Sequence, residues 1–239
     1  MIAFFETIAS NWPDWWPRLR DAAWVTIYVT VISFILAFVV GLALEFLRTR
    51  RSAALRRAAG VYILVLRGVP ILVVLYLLYF ALPQAGIVLN AIFAGILGLG
   101  AVHGAYLAEV FRAGLRTVAP GQREAALAVG LTPLQTFVLI LFPQAIRVVL
   151  PPLLISLISL LKDSAICALI AVPELTLTAR AIMAETFLPM HVFILVGAFY
   201  FGIAFPASLF VRSLERRLRQ GRVAKERASS GNLATVREA

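Results

Sequence analysis

The sequence predicts an all-α integral membrane protein of about five transmembrane helices, with a short cytoplasmic helix between spans three and four. Three observations carry that reading. Of the 239 residues, 62% are hydrophobic and 14% charged, and the mean hydropathy is +0.93. A soluble domain of this composition would expose large apolar patches and aggregate. The apolar residues fall into runs near the ~20 residues that a spanning helix needs. The arginines gather in short clusters between those runs, the pattern that marks cytoplasmic loops.

The first span is expected over about Ala22 to Leu47, followed by Arg48, Arg50, Arg51, Arg56 and Arg57. The second covers about Val61 to Leu82 and ends in a neutral turn, Pro83 to Gly86. The third runs from about Ile87 to Glu109, with Arg112, Arg116 and Arg123 beyond it. A fourth apolar run, Leu134 to Leu161, is expected to be broken by Pro143, Pro151 and Pro152. Lys162-Asp163-Ser164 and a short apolar piece ending at Val172-Pro173-Glu174 follow it. The last span is about His191 to Phe210, and Arg212, Arg216, Arg217, Arg219 and Arg222 follow. The chain thus divides into an outer N-terminal segment (1–21), a transmembrane domain (22–217) and a polar cytoplasmic tail (218–239). Alternation of the arginine clusters puts the N-terminus outside and the C-terminus inside.

Several functions are excluded. The formal charge is +10, but it is carried by topogenic clusters between spans, so the balance does not indicate nucleic acid. Cys167 is alone, which leaves no disulfide framework and no paired-cysteine metal site. Met1 to Trp16 lacks an early basic residue and does not read as a cleavable signal peptide. The phosphate-loop, HExxH and GxSxG patterns are absent. His103 and His191 are the only histidines, and each reads as a helix-packing hydrogen-bond donor before a ligand. No enzyme chemistry is expected of the chain itself.

The informative stretch is Gly121 to Pro143. Pro120-Gly121 signals a turn, Glu124 to Ala128 is strongly helix-forming, and Gly130 stands where a helix stops. Thr132 caps a following helix with Pro133 at its first position. The apolar face of the short helix (Ala125, Leu127, Ala128, Leu131) reads as a docking surface. Glu124-Ala125-Ala126, Gly130, Ile140 and Pro143 resemble the EAA loop of ABC importer permeases, E-A-A-x3-G-x9-I-x-L-P, with Phe142 in place of the usual Leu. Flanking segments resemble the polar amino-acid uptake subgroup (histidine, arginine and glutamine type). They are Leu66 to Pro70, Ala105 to Arg112, Ile155 to Ser164 and Val172 to Leu175. The resemblance covers roughly Trp24 to Arg217.

That resemblance implies a permease subunit of an ATP-driven importer in a bacterial inner membrane. It pairs with a second permease, identical or homologous, and receives a polar amino acid from an extracytoplasmic solute-binding protein. The loop at Glu124, Ala125, Ala126 and Gly130 couples to an ATPase dimer that holds ATP and Mg, and this chain holds no cofactor. A rival reading is a subunit of a secondary transporter or channel, whose uptake would follow an ion gradient.

Ionisable residues within spans are costly and default to functional candidates. Arg67 sits beside Gly68 and Pro70, where a kink is expected to frame the pathway or to let Arg67 satisfy freed carbonyls. His103, Tyr106 and Glu109 share one face of span three. The pathway candidates are Arg67, Tyr106, Glu109, Lys162, Asp163 and Ser164. Glu109 reads either as a partner for a substrate ammonium or as a brace to Arg112. Gly95, Gly98, Gly100 and Gly104 read as helix-packing positions. The topology is open to direct test. On a Cys167→Ala background, an impermeant thiol reagent applied to intact spheroplasts should label Gln84→Cys and leave Ser52→Cys unlabelled, and the opposite pattern reverses the orientation.

Overall fold

The computed structural model describes residues 2–237, with side chains described for 3–119 and 121–216. No strand occurs among the described residues. Four helices there are long and apolar enough to cross a membrane, and a sharply bent pair counted as one span brings the number to five.

The first helix, α1 (Ile2–Thr49), runs unbroken for 48 residues, roughly 72 Å at 1.5 Å per residue. The segment 1–21 expected outside the first span is therefore helical from Ile2 and continuous with that span, despite Pro13 and Pro17. The buried threonines of α1 bond back within the helix, whereas the buried Ser33 hydroxyl has no partner among the described residues. Thr26 donates to the Ala22 carbonyl at 3.0 Å and Thr30 to the Thr26 carbonyl at 2.7 Å.

The second span differs most from expectation. Helix α2 (Ala53–Gly68) meets the helical segment Ile71–Ala85, which opens with α3 (Ile71–Tyr76), at 106°. Pro70 has no N–H to continue the helix, and its ring drives Val69 into extended backbone (φ −93°, ψ 132°). The chain goes on through a π-turn (Leu77–Ala81) and a 3-10 turn (Leu82–Ala85) to Gly86, which is left-handed at φ 82°. Helix α4 (Ala91–Arg116) starts four residues later than the expected Ile87, because Asn90 caps it by accepting from the Phe93 N–H at 2.8 Å.

The loop helix α5 (Pro120–Ala128) is followed by α6 (Pro133–Gln135), a π-turn (Thr136–Leu141) and α7 (Phe142–Asp163). The expected breaks at Pro143, Pro151 and Pro152 do not occur, and residues 133–170 form one apolar helical run. Pro143 stands in the first turn of α7, directly after the π-turn, where the wider i→i+5 pattern accommodates a missing donor. A 3-10 turn (Ser164–Ile170) leads to Ala171, then to α8 (Leu175–Thr186) and α9 (Pro189–Arg237). The backbone of α9 continues through the region expected as a tail from 218, whose side chains lie outside the described residues.

Packing centres on α4, which lies most extensively against α1. Lipid offers no hydrophobic force to join two helices, so close backbone approach has to supply the contact. A Cβ added at Gly104 would stand 2.7 Å from a Val40 methyl and 2.8 Å from its Cβ, and one at Gly41 would stand 2.9 Å from the Leu107 Cβ. The glycines of span three are packing positions, as expected. Farther along α1, Trp15, Leu19, Ala22 and Ala23 pack with Leu175, Ala179 and Ile182 of α8 and Val192 and Val196 of α9. Arg18 clamps the same junction with a bidentate bond to Glu185 (2.6 and 2.8 Å), and that guanidinium holds the Glu185 carboxyl below its usual range.

Gly104→Leu should overpack the α1–α4 contact, costing about 1–3 kcal/mol and lowering the thermal midpoint in detergent. Val40→Ala in the same chain should recover most of the loss, and failure to recover it would show that Gly104 serves something other than close packing.

Candidate functional site

The bend between α2 and α3 leaves a cavity of about 480 Å³ against α4 and α7. Its walls are the backbone of Gly68 to Ile71, the α4 residues Val102, His103 and Tyr106, and the α7 residues Ser156, Ser159 and Asp163, with Arg67 at the edge. The sharp turn that Pro70 imposes creates the space, since a straight second span would fill it.

The lining carries both signs of charge, Arg67 and Asp163. The His103 Nε2 is 3.0 Å from the Asp163 Oδ2, which links α4 to the end of α7. His103 is buried, whereas the Asp163 side chain keeps 41% exposure and so has carboxylate surface left for a second partner. The Arg67 guanidinium lies over the Tyr106 ring at 5.3 Å, a cation–π contact that holds it at the cavity edge. Ser156 bonds back to the Pro152 carbonyl at 2.9 Å, so its oxygen is left free to accept. A fixed guanidinium and an accessible carboxylate in one cavity suit a solute with both a carboxylate and an ammonium.

Of the pathway candidates, the structure brings Arg67, Tyr106 and Asp163 to the cavity. Lys162 is exposed and does not line it. Ser164 is fully buried and donates to the Leu161 carbonyl at 2.7 Å. Glu109 is also outside the lining. Its Oε1 accepts from the Arg48 Nη1 at 2.8 Å and lies 3.9 Å from Arg67, and its Oε2 is 3.8 Å from Arg112. The principal partner is thus Arg48 of α1, not the neighbouring Arg112. Ser156 and Ser159 were missed by the sequence reading, and His103 was treated as packing. Their signal was spacing: 156, 159 and 163 recur at helical intervals on one face, opposite 103 and 106.

On the loop, Glu124 and Ala125 are exposed, while Ala126 is buried. The helix ends as its glycine foretells. Gly130 is left-handed at φ 85°, its N–H bonds the Leu127 carbonyl at 3.0 Å, and the Leu131 N–H bonds the Ala126 carbonyl at 3.1 Å, a Schellman stop. Thr132 and Gln135 then form a reciprocal capping box. Leu127, Val129 and Leu134 remain exposed around it.

A polar cavity beside a bent span, with a loop helix that leaves Leu127 exposed, fits a multi-pass membrane transport protein. The chain belongs to the family described as the inner membrane component of binding-protein-dependent transport systems, which matches residues 33–220. It is 40% identical over 193 residues to the probable amino-acid ABC transporter permease protein YckA of Bacillus subtilis (strain 168), covering 80% of this chain and 85% of that protein. It is 34% identical over 214 residues to the glutamine transport system permease protein GlnP of Escherichia coli (strain K12), covering 87% and 98%. A solved amino acid ABC transporter crystallised with histidines superposes with a TM-score of 0.81 at 32% identity, covering 90% of this chain and 98% of that one. The MetNI methionine ABC transporter in inward-facing conformations shares the fold, with a TM-score of 0.65 at 23% identity over 84% of this chain and 98% of that one.

Because Glu109 joins α1 to α4 through Arg48, Glu109→Gln should lower the thermal midpoint, with a loss of about 1 kcal/mol or more. Adding Arg48→Gln should lower it little further, whereas fully additive losses would show that the two residues do not act as a pair.

Proposed function

We propose that this chain is the permease subunit of an ATP-driven importer for polar amino acids, and that its Arg67–Asp163 cavity lies on the solute pathway. The carrying observation is the kinship with amino-acid and glutamine permeases at 34–40% identity over four-fifths or more of the chain. The cavity chemistry supports the same solute class: Asp163 is suited to an ammonium and Arg67 to a carboxylate.

In this reading the energy comes from a partner ATPase dimer, which binds ATP and Mg. A second permease, the same chain or a homologue, completes the pathway, and an extracytoplasmic binding protein delivers the solute. Helix α5 is the element that meets the ATPase. Its support is the Schellman stop at Gly130 and the exposed Leu127 and Val129. The arginine clusters support an orientation with the N-terminus outside and the C-terminus in the cytoplasm.

The test uses the complex reconstituted in vesicles. Uptake should require ATP and survive collapse of ion gradients, and the reverse would favour a secondary transporter. A Cβ at Gly130 meets nothing within 4 Å inside the chain, but the left-handed backbone strains most side chains, so a bulky residue there would both strain the turn and stand in the way of a partner. Asparagine tolerates left-handed backbone better than other side chains. Gly130→Asn should keep most uptake, while Gly130→Trp should insert normally and lose it by about ten-fold or more, the order of one disrupted interface anchor. Normal uptake by Gly130→Trp would sink the docking assignment.

A further inference from the structure

Glu174 is fully buried, yet the cavity does not contain it. Burying a carboxylate demands partners, and it has them. Its Oε1 accepts from the Leu177 N–H at 2.8 Å, capping α8, and its Oε2 accepts from the Tyr200 hydroxyl of α9 at 2.6 Å. With that phenolic proton committed, the Thr176 hydroxyl, 3.2 Å away, is the donor to Tyr200. The Leu175 N–H donates to the Thr26 hydroxyl of α1 at 3.2 Å. Helices α1, α8 and α9 thus meet at one hydrogen-bonded point.

This point is tied to the cavity by a short rigid path. The 3-10 turn Ser164–Ile170 starts directly after Asp163 and ends at Ala171, a non-glycine residue in left-handed backbone at φ 63°. Ser164, Cys167 and Ile170 are fully buried within the turn, so it cannot slide without displacing packed side chains. The Val172 N–H bonds the Cys167 carbonyl at 3.2 Å and the Glu174 N–H bonds the Val172 carbonyl at 2.8 Å, which joins the turn to Glu174. The network therefore holds the far end of the turn, and Asp163 is the near end.

We propose that Glu174 and Tyr200 are positioning residues for transport: through the Ser164–Ile170 turn they set where the Asp163 carboxylate stands in the cavity. The proposal rests on the cavity being the solute pathway. It also distinguishes Ser164 from the lining residues, since Ser164 serves the support behind Asp163.

The experiment uses the reconstituted complex and a panel of the common L-amino acids, with kinetics followed on those the unaltered complex takes up. Tyr200→Phe removes one hydroxyl and keeps the ring. It should raise the uptake KM about three- to ten-fold with the maximal rate within about two-fold, the size of one lost hydrogen bond. Cys167, the single cysteine, should be alkylated faster by a membrane-permeant maleimide as the turn loosens. Glu174→Gln keeps a carbonyl acceptor and should stay nearer the unaltered KM. Should Tyr200→Phe fail to assemble, Thr176→Val carries the same test, with a KM rise of about two- to three-fold expected. Asp163→Asn separates the two layers of the argument. An altered KM for Asp163→Asn with an unaltered KM for Tyr200→Phe overturns the positioning role alone. An unaltered KM for Asp163→Asn overturns the pathway reading and the positioning role with it.

Discussion

A free N–H or C=O has no water to turn to in hydrocarbon, so each interruption of a spanning helix has to be repaired from within the protein. This chain carries 12 prolines, several of them inside its apolar runs, and most of its irregular geometry can be traced to their repair. Pro143 stands in the first turn of α7, directly after a π-turn, and Pro151 and Pro152 are carried within α7 without ending it. At Pro70 the repair takes another form. The helix ends outright, the chain turns through 106°, and the space left beside the turn is the cavity. The same constraint that forbids casual breaks in a membrane makes this one a feature of the site, since irregular backbone at that depth is tolerated where it lines a polar space.

A cavity next to a broken span needs a rigid wall on its other side, and α4 supplies it. Its glycines let α1 approach to backbone contact, and Leu36 and Val40 fill the room that a Cβ would take. Close approach replaces the hydrophobic force that lipid cannot supply. His103 and Tyr106 are then presented from a helix fixed along its length, while Glu109, three residues farther on, faces Arg48 and Arg112. One polar stripe on α4 thus divides into two roles according to what lies opposite. Where the bend opens space it faces the cavity, and where α1 closes on it the charge is spent on an ion pair.

Spans one, three, four and five were legible because their apolar runs and arginine punctuation survive any local geometry. So was the loop, because a helix former, a glycine stop and a Thr-Pro start are local signals with local causes. What escaped was everything that depends on a distant partner. Pro70 and Pro143 look alike in sequence, yet α2 ends just before Pro70, whereas Pro143 stands in the first turn of α7 directly after a π-turn. Glu109 could be placed on a polar face, but whether Arg48 or a solute answers it depends on the crossing of α1 and α4. Ser156 and Ser159 were hidden in an apolar run, where two serines at helical spacing are weak evidence without the cavity opposite them.

Glu174 illustrates the same limit from the other direction. In sequence it is one acidic residue after Val172-Pro173, a natural helix cap and nothing more. Only the arrival of α9, from a segment 26 residues later, places the Tyr200 hydroxyl on its second oxygen. A capping carboxylate in a loop would be solvated; this one is buried, and its hydrogen bonds substitute for water on both oxygens. Such a group is stable only while all its partners stay in place, so the elements that bring them must move together or not at all. Helix α8, the foot of α9 and the N-terminal half of α1 therefore form a unit behind the cavity. The broken second span lies outside that unit, and its backbone ladder is interrupted at Val69-Pro70.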